Sequence, residues 1–434
     1  MVDLTAVATD GCSSSNIQKT VLENGLIVVT EKVDHVSSVS LGIWVKAGSR
    51  HEQAQENGIT HFIEHTVFKG TQNRTARQIA LEADILGGNL DAFTTSEFTG
   101  FCIRVLKNNL SQAFDIVADL LVNPTFDSVE IERERAVIIE EIKMTEDSPE
   151  EFVSELFHSS FWPNHPVGRP IAGTIETVNA LSRDQIVAYY QQAYNPANLL
   201  ITAAGRIEHQ QIVDLANNYF GLLTPLKTTF SQQPPKEESR IVIKKKRGLE
   251  QTQIILGAPA PSICSKERYT CSIFNTILGG GLSSRLFQKV REEHGLAYSV
   301  SSNLNLYTDA GCLAVYMAVA NKNVKKAISL VMKEITTLKT ELVSEKELQA
   351  TKDQIKANMI LDLESVTSHM SSLAESELFF GHHIALAETF AGIDAVTVED
   401  LIVIAKTIFD QEKIAVAILA PTERLKLDRE HLAC

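Results

Sequence analysis

The sequence predicts an α+β protein of two homologous domains, each a mostly antiparallel sheet packed against helices. Three observations carry this. First, the order of strand-like and helix-like stretches in residues 18–220 recurs in residues 240–421. Second, the segment between the two runs, LLTPLKTTFSQQPPKEES at 222–239, has three prolines and no periodicity, as an interdomain linker does. Third, 434 residues that are 44% hydrophobic and 22% charged make an ordinary globular composition, long enough for more than one core. The expected boundaries are 15–222 for the first domain, 223–239 for the linker and 240–425 for the second domain.

In the first run, QKTVLENGLIVVTEKV at 18–33 reads as two strands around the Asn24-Gly25 turn. Residues 39–48 alternate as a third strand. A helix is expected over 58–68, and another over 76–86 that stops at Gly87-Gly88. Residues 89–105 read as a hairpin. Helical periodicity follows at 109–122, 127–146 and 150–161, then a Pro- and Gly-rich loop, WPNHPVGRPIAGT. A helix at 182–194, a strand at 198–204 and a helix at 208–220 close the run.

The second run has strands at 240–246 and 251–257 and helices at 268–278 and 283–293. The hairpin expected at 296–318 echoes 89–105. Helices are expected at 322–339, 344–361, 367–380 and 397–408. The last strand, KIAVAILAP at 413–421, echoes NLLITAAG. The repeat lies in element order, not in residue identity.

Several functional classes are disfavoured. A net charge of −14 argues against a nucleic-acid partner, and Lys244–Arg247 reads as a solvated strand end. Six cysteines without CxxC spacing read as reduced thiols. The N-terminal MVDLTAVATDGCSSS lacks the basic and apolar regions of a secretory leader, and no stretch approaches a membrane span, so a cytoplasmic protein with no membrane partner is expected.

The chemistry centres on His61-Phe-Ile-Glu64-His65. On a helix, positions i, i+3 and i+4 share one face, so both imidazoles and the carboxylate point into one volume. Two neutral imidazoles suit a zinc ion, with the carboxylate free to take a proton from water; the spacing is the H-x-x-E-H form of zinc peptidases. Such a site needs a third protein ligand. The helix at 127–146 carries Glu134 and Glu141 two turns apart, beside an apolar stripe that includes Ile138 and Ile142. A carboxylate there is costly unless paired or metal-bound. The residues alone leave Glu134, Glu140 and Glu141 open as the ligand.

In combination, HFIEHTVFKGTQNRTARQIA, GGNLDAFTTSEFTGF, IERERAVIIEEIKMTEDSP, HPVGRPIAGT, LGGGLSSRLFQKVREEHGLAYSV and the terminal strand resemble the insulinase/pitrilysin superfamily of zinc peptidases. The resemblance spans about residues 17–425 and is to the half-length branch, which includes the mitochondrial processing peptidase beta subunit and its bacterial homologues. It implies a processing-peptidase/LuxS-like metallohydrolase fold and a zinc endopeptidase with one Zn²⁺ per chain. The implied ligands are His61, His65 and Glu141, the last lying 76 residues beyond His65. Glu64 is implied as the general base and Glu134 as the residue that orients a ligand.

The resemblance also implies that Arg291 and Tyr298, from the half without a zinc motif, hold the substrate backbone and the developing oxyanion. The strand with Asn89, Ala92 and Phe93 would receive peptide by strand addition. Phe68 and Phe93 would line an apolar pocket, and Glu151 and Glu155 would read basic residues. Expected substrates are unfolded peptides or presequence-like segments, and the expected assembly is a homodimer, or a heterodimer with an inactive homologue. The competing expectation is a non-catalytic structural relative of respiratory-complex core subunits.

Overall fold

The computed structural model describes residues 16–226, 230, 233–422 and 425–433. The first half of the chain forms β1 (Ile17–Val21), β2 (Ile27–Lys32), β3 (Ser38–Val45), α1 (Ile59–Val67), α2 (Ala76–Ile85), β4 (Asn89–Thr94) and β5 (Thr99–Leu106). It continues with α3 (Leu110–Val122), α4 (Ser128–Asp147), α5 (Pro149–Phe161), α6 (Ile175–Ala180), α7 (Arg183–Ala193), β6 (Leu199–Gly205) and α8 (His209–Phe220). The second half forms β7 (Ile241–Lys245), β8 (Thr252–Ala260), α9 (Arg268–Gly279), β9 (Ala297–Leu306), β10 (Gly311–Val319) and α10 (Val324–Thr340). It ends with α11 (Glu345–Asp362), α12 (Val366–Phe380), α13 (Leu386–Asp394), α14 (Val398–Ile408) and β11 (Ala415–Ala420).

Two sheets result, in the orders β1-β2-β6-β3-β5-β4 and β7-β11-β8-β10-β9. Without the edge strand β1 their topologies coincide. The parallel pair β2·β6 matches β7·β11, and every other pairing is antiparallel. The echoes in the sequence therefore mark equivalent positions: β11 stands where β6 does, and the β9–β10 hairpin where β4–β5 does. In both sheets β4 or β9 is left as an outer strand.

Both faces of each sheet are covered, which is why β6 and β11 are near-continuous apolar runs with every residue buried. One face of the first sheet joins Leu41, Ile43 and Ile201 to Phe62, Phe114 and Val117 from its own helices. Its other face, Val29, Trp44 and Leu200, is covered by Met370, Leu373 and Ala374 of α12, a helix of the second half. The second sheet mirrors this. Its own helices cover Ile254, Leu256 and Val315. Ile255, Tyr316 and Ala417 are covered by Val153, Phe157 and Phe161 of α5, from the first half. The two halves thus exchange equivalent helices. Each large apolar side chain buried this way contributes about 1.5–3 kcal/mol.

Local differences from the sequence expectation have physical causes. Instead of a regular helix over 283–293, a seven-residue π-helical turn spans Phe287–Glu293, after the Gly279–Gly281 run ends α9. Helices α6 and α13 are six and nine residues long, too short for a periodicity to declare itself. Residues 222–226, 230 and 233–239 carry no helix or strand. The N-terminal stretch read for a leader, Cys12 and Cys434 lie outside the described residues. Cys102, Cys264, Cys271 and Cys312 are free thiols. Among the described residues no helix is long and apolar enough to cross a membrane.

Candidate active site

The start of α1 is tightly specified. Gly58 sits at φ +97°, and a Cβ there would lie 2.6 Å from the Ala172 carbonyl oxygen. Only glycine lets the 170–173 loop close on the helix. In place of an ordinary N-cap, the buried Glu52 reaches up from the preceding turn. Its Oε2 accepts from Gly58 N at 2.8 Å and Asn57 Nδ2 at 3.0 Å, and its Oε1 accepts from Thr60 N at 2.9 Å. Burial pushes this carboxyl up to about 7, against the N–H donors that favour its charged form. The cap leaves α1 with Phe62 and Ile63 in the core and His61, Glu64 and His65 on the other face.

Helix α4 crosses behind them. Asp127 caps it, accepting from Val129 N and Glu130 N. Ile131, Ile138 and Ile142 anchor its buried side. Glu141 Oε2 then lies 3.4 Å from His65 Nε2 and 3.9 Å from His61 Nε2. The ligand atoms of His61, His65 and Glu141 all fall within 4.8 Å of one another. Glu140 is turned to solvent and pairs with Lys143 at 2.7 Å.

This donor set fits zinc. A tetrahedral ion with bonds of about 2.0–2.1 Å spaces its ligand atoms about 3.3 Å apart. Burial, reinforced by the His65 imidazole, pushes His61 down to about 4, so it is the neutral ring a metal requires. Glu134 Oε2 lies 3.2 Å from His65 Nδ1, which leaves Nε2 of that ring facing Glu141. Lys69 Nζ holds the other oxygen of Glu134 at 2.9 Å.

Glu64 is half-enclosed beside the cluster. Thr94 Oγ1, at the end of β4, donates to its Oε2 at 2.6 Å. Burial raises the Glu64 carboxyl above its ordinary range, while the Thr94 hydroxyl works against that shift. His61 and Glu64 open onto a cavity of about 610 Å³ whose walls include Ala92, Phe93, Glu151, Glu155, His158 and Tyr307. Burial pushes Glu155 up to about 7, helped by the nearby charges of Glu146 and Glu151.

The structure sorts the remaining candidates. Phe68 lines a second hollow of about 270 Å³ with Glu64, His65, Ala92 and Glu134. Phe93 packs edge-on against Trp44, its ring 5.9 Å away, and is 40% exposed. Asn89 is exposed at the start of β4 and lines neither hollow. Arg291, in the π-helical turn, lies 5.1 Å from the ring of Tyr298, which is 77% exposed at the start of β9. The pair meets each other but lines neither hollow.

Glu52, Lys69, Thr94 and Tyr307 escape a reading of the sequence. Thr94 had a signal: Leu90, Ala92 and Thr94 alternate on one face of β4. For the other three, no local pattern ties them to the motif.

Comparisons with known proteins bear on the family of the chain. Residues 27–175 match the family described as insulinase (peptidase family M16), and residues 180–355 match the peptidase M16 inactive domain. An uncharacterized zinc protease of Mycobacterium leprae is 37% identical over 413 residues, covering 94% of this chain and 92% of the relative. One of Bacillus subtilis is 36% identical over 406 residues, covering 94% and 98%. The crystal structure of a protease from Helicobacter pylori superposes with a TM-score of 0.88 at 23% identity, over 93% of this chain and 99% of that one. The zinc motif falls within the first family match, the second match runs from late in the first half into the second, and with relatives above 35% identity along nearly the whole length, the chain belongs to the insulinase family of peptidases, M16.

Proposed function

We propose that this chain is a zinc-dependent metalloendopeptidase that hydrolyses peptide bonds in unfolded peptides or presequence-like segments. The observation that carries the proposal is the donor cluster of His61, His65 and Glu141, with Glu64 beside it at the wall of a cavity bounded by an edge strand.

Zinc held by His61, His65 and Glu141 would supply a Lewis acid that lowers the pKa of bound water towards about 7. The chain's own groups do the rest. Glu64 takes the proton of the attacking water and later delivers it to the leaving amine. The Thr94 hydroxyl occupies Oε2 and leaves Oε1 free for that exchange. Glu134, held by Lys69, orients the His65 ring.

Substrate binding follows from β4. Among the described residues it pairs with β5 on one side only, so its other edge can take an extended peptide by backbone hydrogen bonds. Phe93 and Ala92 offer apolar contact, and Glu151 and Glu155 supply negative charge for a basic side chain. Arg291 and Tyr298, which line neither hollow of their own chain, suit a role at the site of a second copy. We propose a homodimer in which the facing half-chain holds the substrate backbone.

The inactive-domain match, over residues 180–355 and not over the motif, is compatible with the alternative, a non-catalytic structural relative. Cleavage of a quenched peptide library by the wild type and by Glu64→Gln tests the proposal. Zinc-loaded wild-type protein that cleaves none of the library, or a Glu64→Gln variant as active as wild type, sinks it.

A further inference from the structure

The turn joining β9 and β10 reaches out of the second half and docks beside the site. Tyr307 lines the cavity and sets its ring against Trp162, 5.5 Å away. The next residue, Thr308, offers Glu97 two donors. Its N–H lies 3.2 Å from both carboxylate oxygens, and its Oγ1 donates to Oε1. Arg50, with a side chain 1% exposed, completes the junction. Its guanidinium donates to Glu97, to Thr308 Oγ1 at 3.2 Å and to Asp309 Oδ2 at 2.8 Å. Two backbone groups of the same segment are also committed: Ser49 N donates to Thr95 O at 3.1 Å and Arg50 N to Ser96 O at 2.9 Å.

Glu97 therefore does not float on a loose loop. It lies in the β4–β5 turn, which Thr95 closes. Thr95 N and Oγ1 each donate to Phe98 O at 2.8 Å, and Thr95 Oγ1 accepts from Glu97 N and Phe98 N. These hydrogen bonds tie Thr95, Glu97 and Phe98 into one turn. Its other shoulder is Thr94, paired with Thr99 and donating to Glu64. A contact made on Glu97 by the second half is thus one hydrogen-bonded turn away from the group that seats the base.

We propose that Thr308 and Glu97 are positioning residues for the reaction: from the second half of the chain they fix the turn that places Thr94, and through Thr94 the Glu64 carboxylate. The proposal rests on the reading of Glu64 as general base. It gives the half without a zinc motif a task in catalysis that acts within one chain, separate from any substrate contact.

The test compares Thr308→Val, which keeps the shape and loses the hydroxyl, with Thr308→Ser, which restores it. Thr308→Val is expected to lower kcat on the order of ten-fold, the scale of a small misplacement. KM should stay within about two-fold and zinc content should not change, since neither ground-state contact nor ligand is touched. Thr308→Ser should recover wild-type kcat. The double variant Thr94→Val/Thr308→Val should lose no more than Thr94→Val alone, because both act on one linkage. Hydrogen–deuterium exchange in the uncleaved enzyme should quicken at the amides of Thr95 and Phe98 in Thr308→Val. Multiplicative losses in the double variant, or unchanged exchange in residues 94–98, overturn the proposal while leaving the base assignment intact. A Glu64→Gln variant with full turnover overturns both.

Discussion

Glu134→Gln makes a demanding perturbation of the proposed metal centre, because it keeps the shape of a side chain proposed to orient a ligand and not to be one. In the native protein Glu134 is nearly buried, with a side chain 7% exposed between His65 Nδ1 at 3.2 Å and Lys69 Nζ at 2.9 Å. The glutamine carbonyl can still accept from the ring N–H, so the ring keeps its tautomer. What goes is the negative charge that makes His65 a better donor and neutralises Lys69. Losing such a supporting partner weakens metal affinity by about 10–100-fold. Because the hydrogen bond survives, about ten-fold is expected, or about 1.4 kcal/mol. Three comparisons set the scale. Glu141→Gln, which alters a proposed ligand, should weaken zinc more than Glu134→Gln. Lys69→Met, which removes a partner 34% exposed and screened by water, should weaken it less. Glu140→Gln, out in solvent with Lys143, should change nothing. Competition titration against a chromophoric chelator, at fixed pH and salt, reads all four. Zinc affinity in Glu134→Gln equal to wild type, or a Glu140→Gln variant that loses zinc, would refute the assignment of these carboxylates.

Glu64→Gln should reduce turnover about 10²–10⁴-fold with zinc content intact, read by peptide cleavage and metal analysis. Glu155 should make recognition of basic residues pH-dependent. Its carboxyl, pushed up to about 7, is protonated in acid, so KM for a peptide with a basic residue should rise as pH falls from 8 to 6. An uncharged peptide should show no such trend, and Glu155→Gln should abolish it; a trend unaltered in that variant would place the charge elsewhere. The same group should also affect stability. The native carboxyl keeps its proton to about 7 and the unfolded one releases it near 4.5, so its contribution declines as pH rises between those values. Glu155→Gln should flatten that part of a urea-midpoint profile. Phe157→Ala, which empties a fully buried site between α5 and the second sheet, should cost about 3–5 kcal/mol in urea unfolding. The unfolding should remain one transition.

Much of the fold was legible because it is periodic. β6 and β11 announce themselves by near-continuous apolar runs, and α3 and α10 by spacing over three or more turns. The grouping of His61, Glu64 and His65 was equally legible, since one helix places all three. Residue patterns alone left Glu134, Glu140 and Glu141 unresolved. All three stand on α4, and which of them faces α1 depends on how the two helices cross. Lys69 and Glu52 belong to the site only through contacts that no short-range pattern encodes: a lysine beyond the end of α1 and a carboxylate folded back under its start. Tyr307 is more remote still, since it reaches the cavity only once the β9–β10 turn has crossed from one half to the other. The π-helical turn at 287–293, which packs against β9, carries no distinguishing pattern in the sequence.

The exchange of α5 and α12 bears on what can be done with this polypeptide by recombinant means. A fragment ending near residue 222 would carry α5 with nothing to lie on, and its own sheet would present Trp44, Val29 and Leu200 to water. A fragment starting near 240 would be in the mirror-image position, with Ile255, Tyr316 and Ala417 bare. Neither is a promising candidate for soluble expression by itself. Produced together, each would hold the complement the other lacks. Proteolytic nicking between 222 and 239 should then yield two polypeptides on a denaturing gel that still elute as one species from a sizing column.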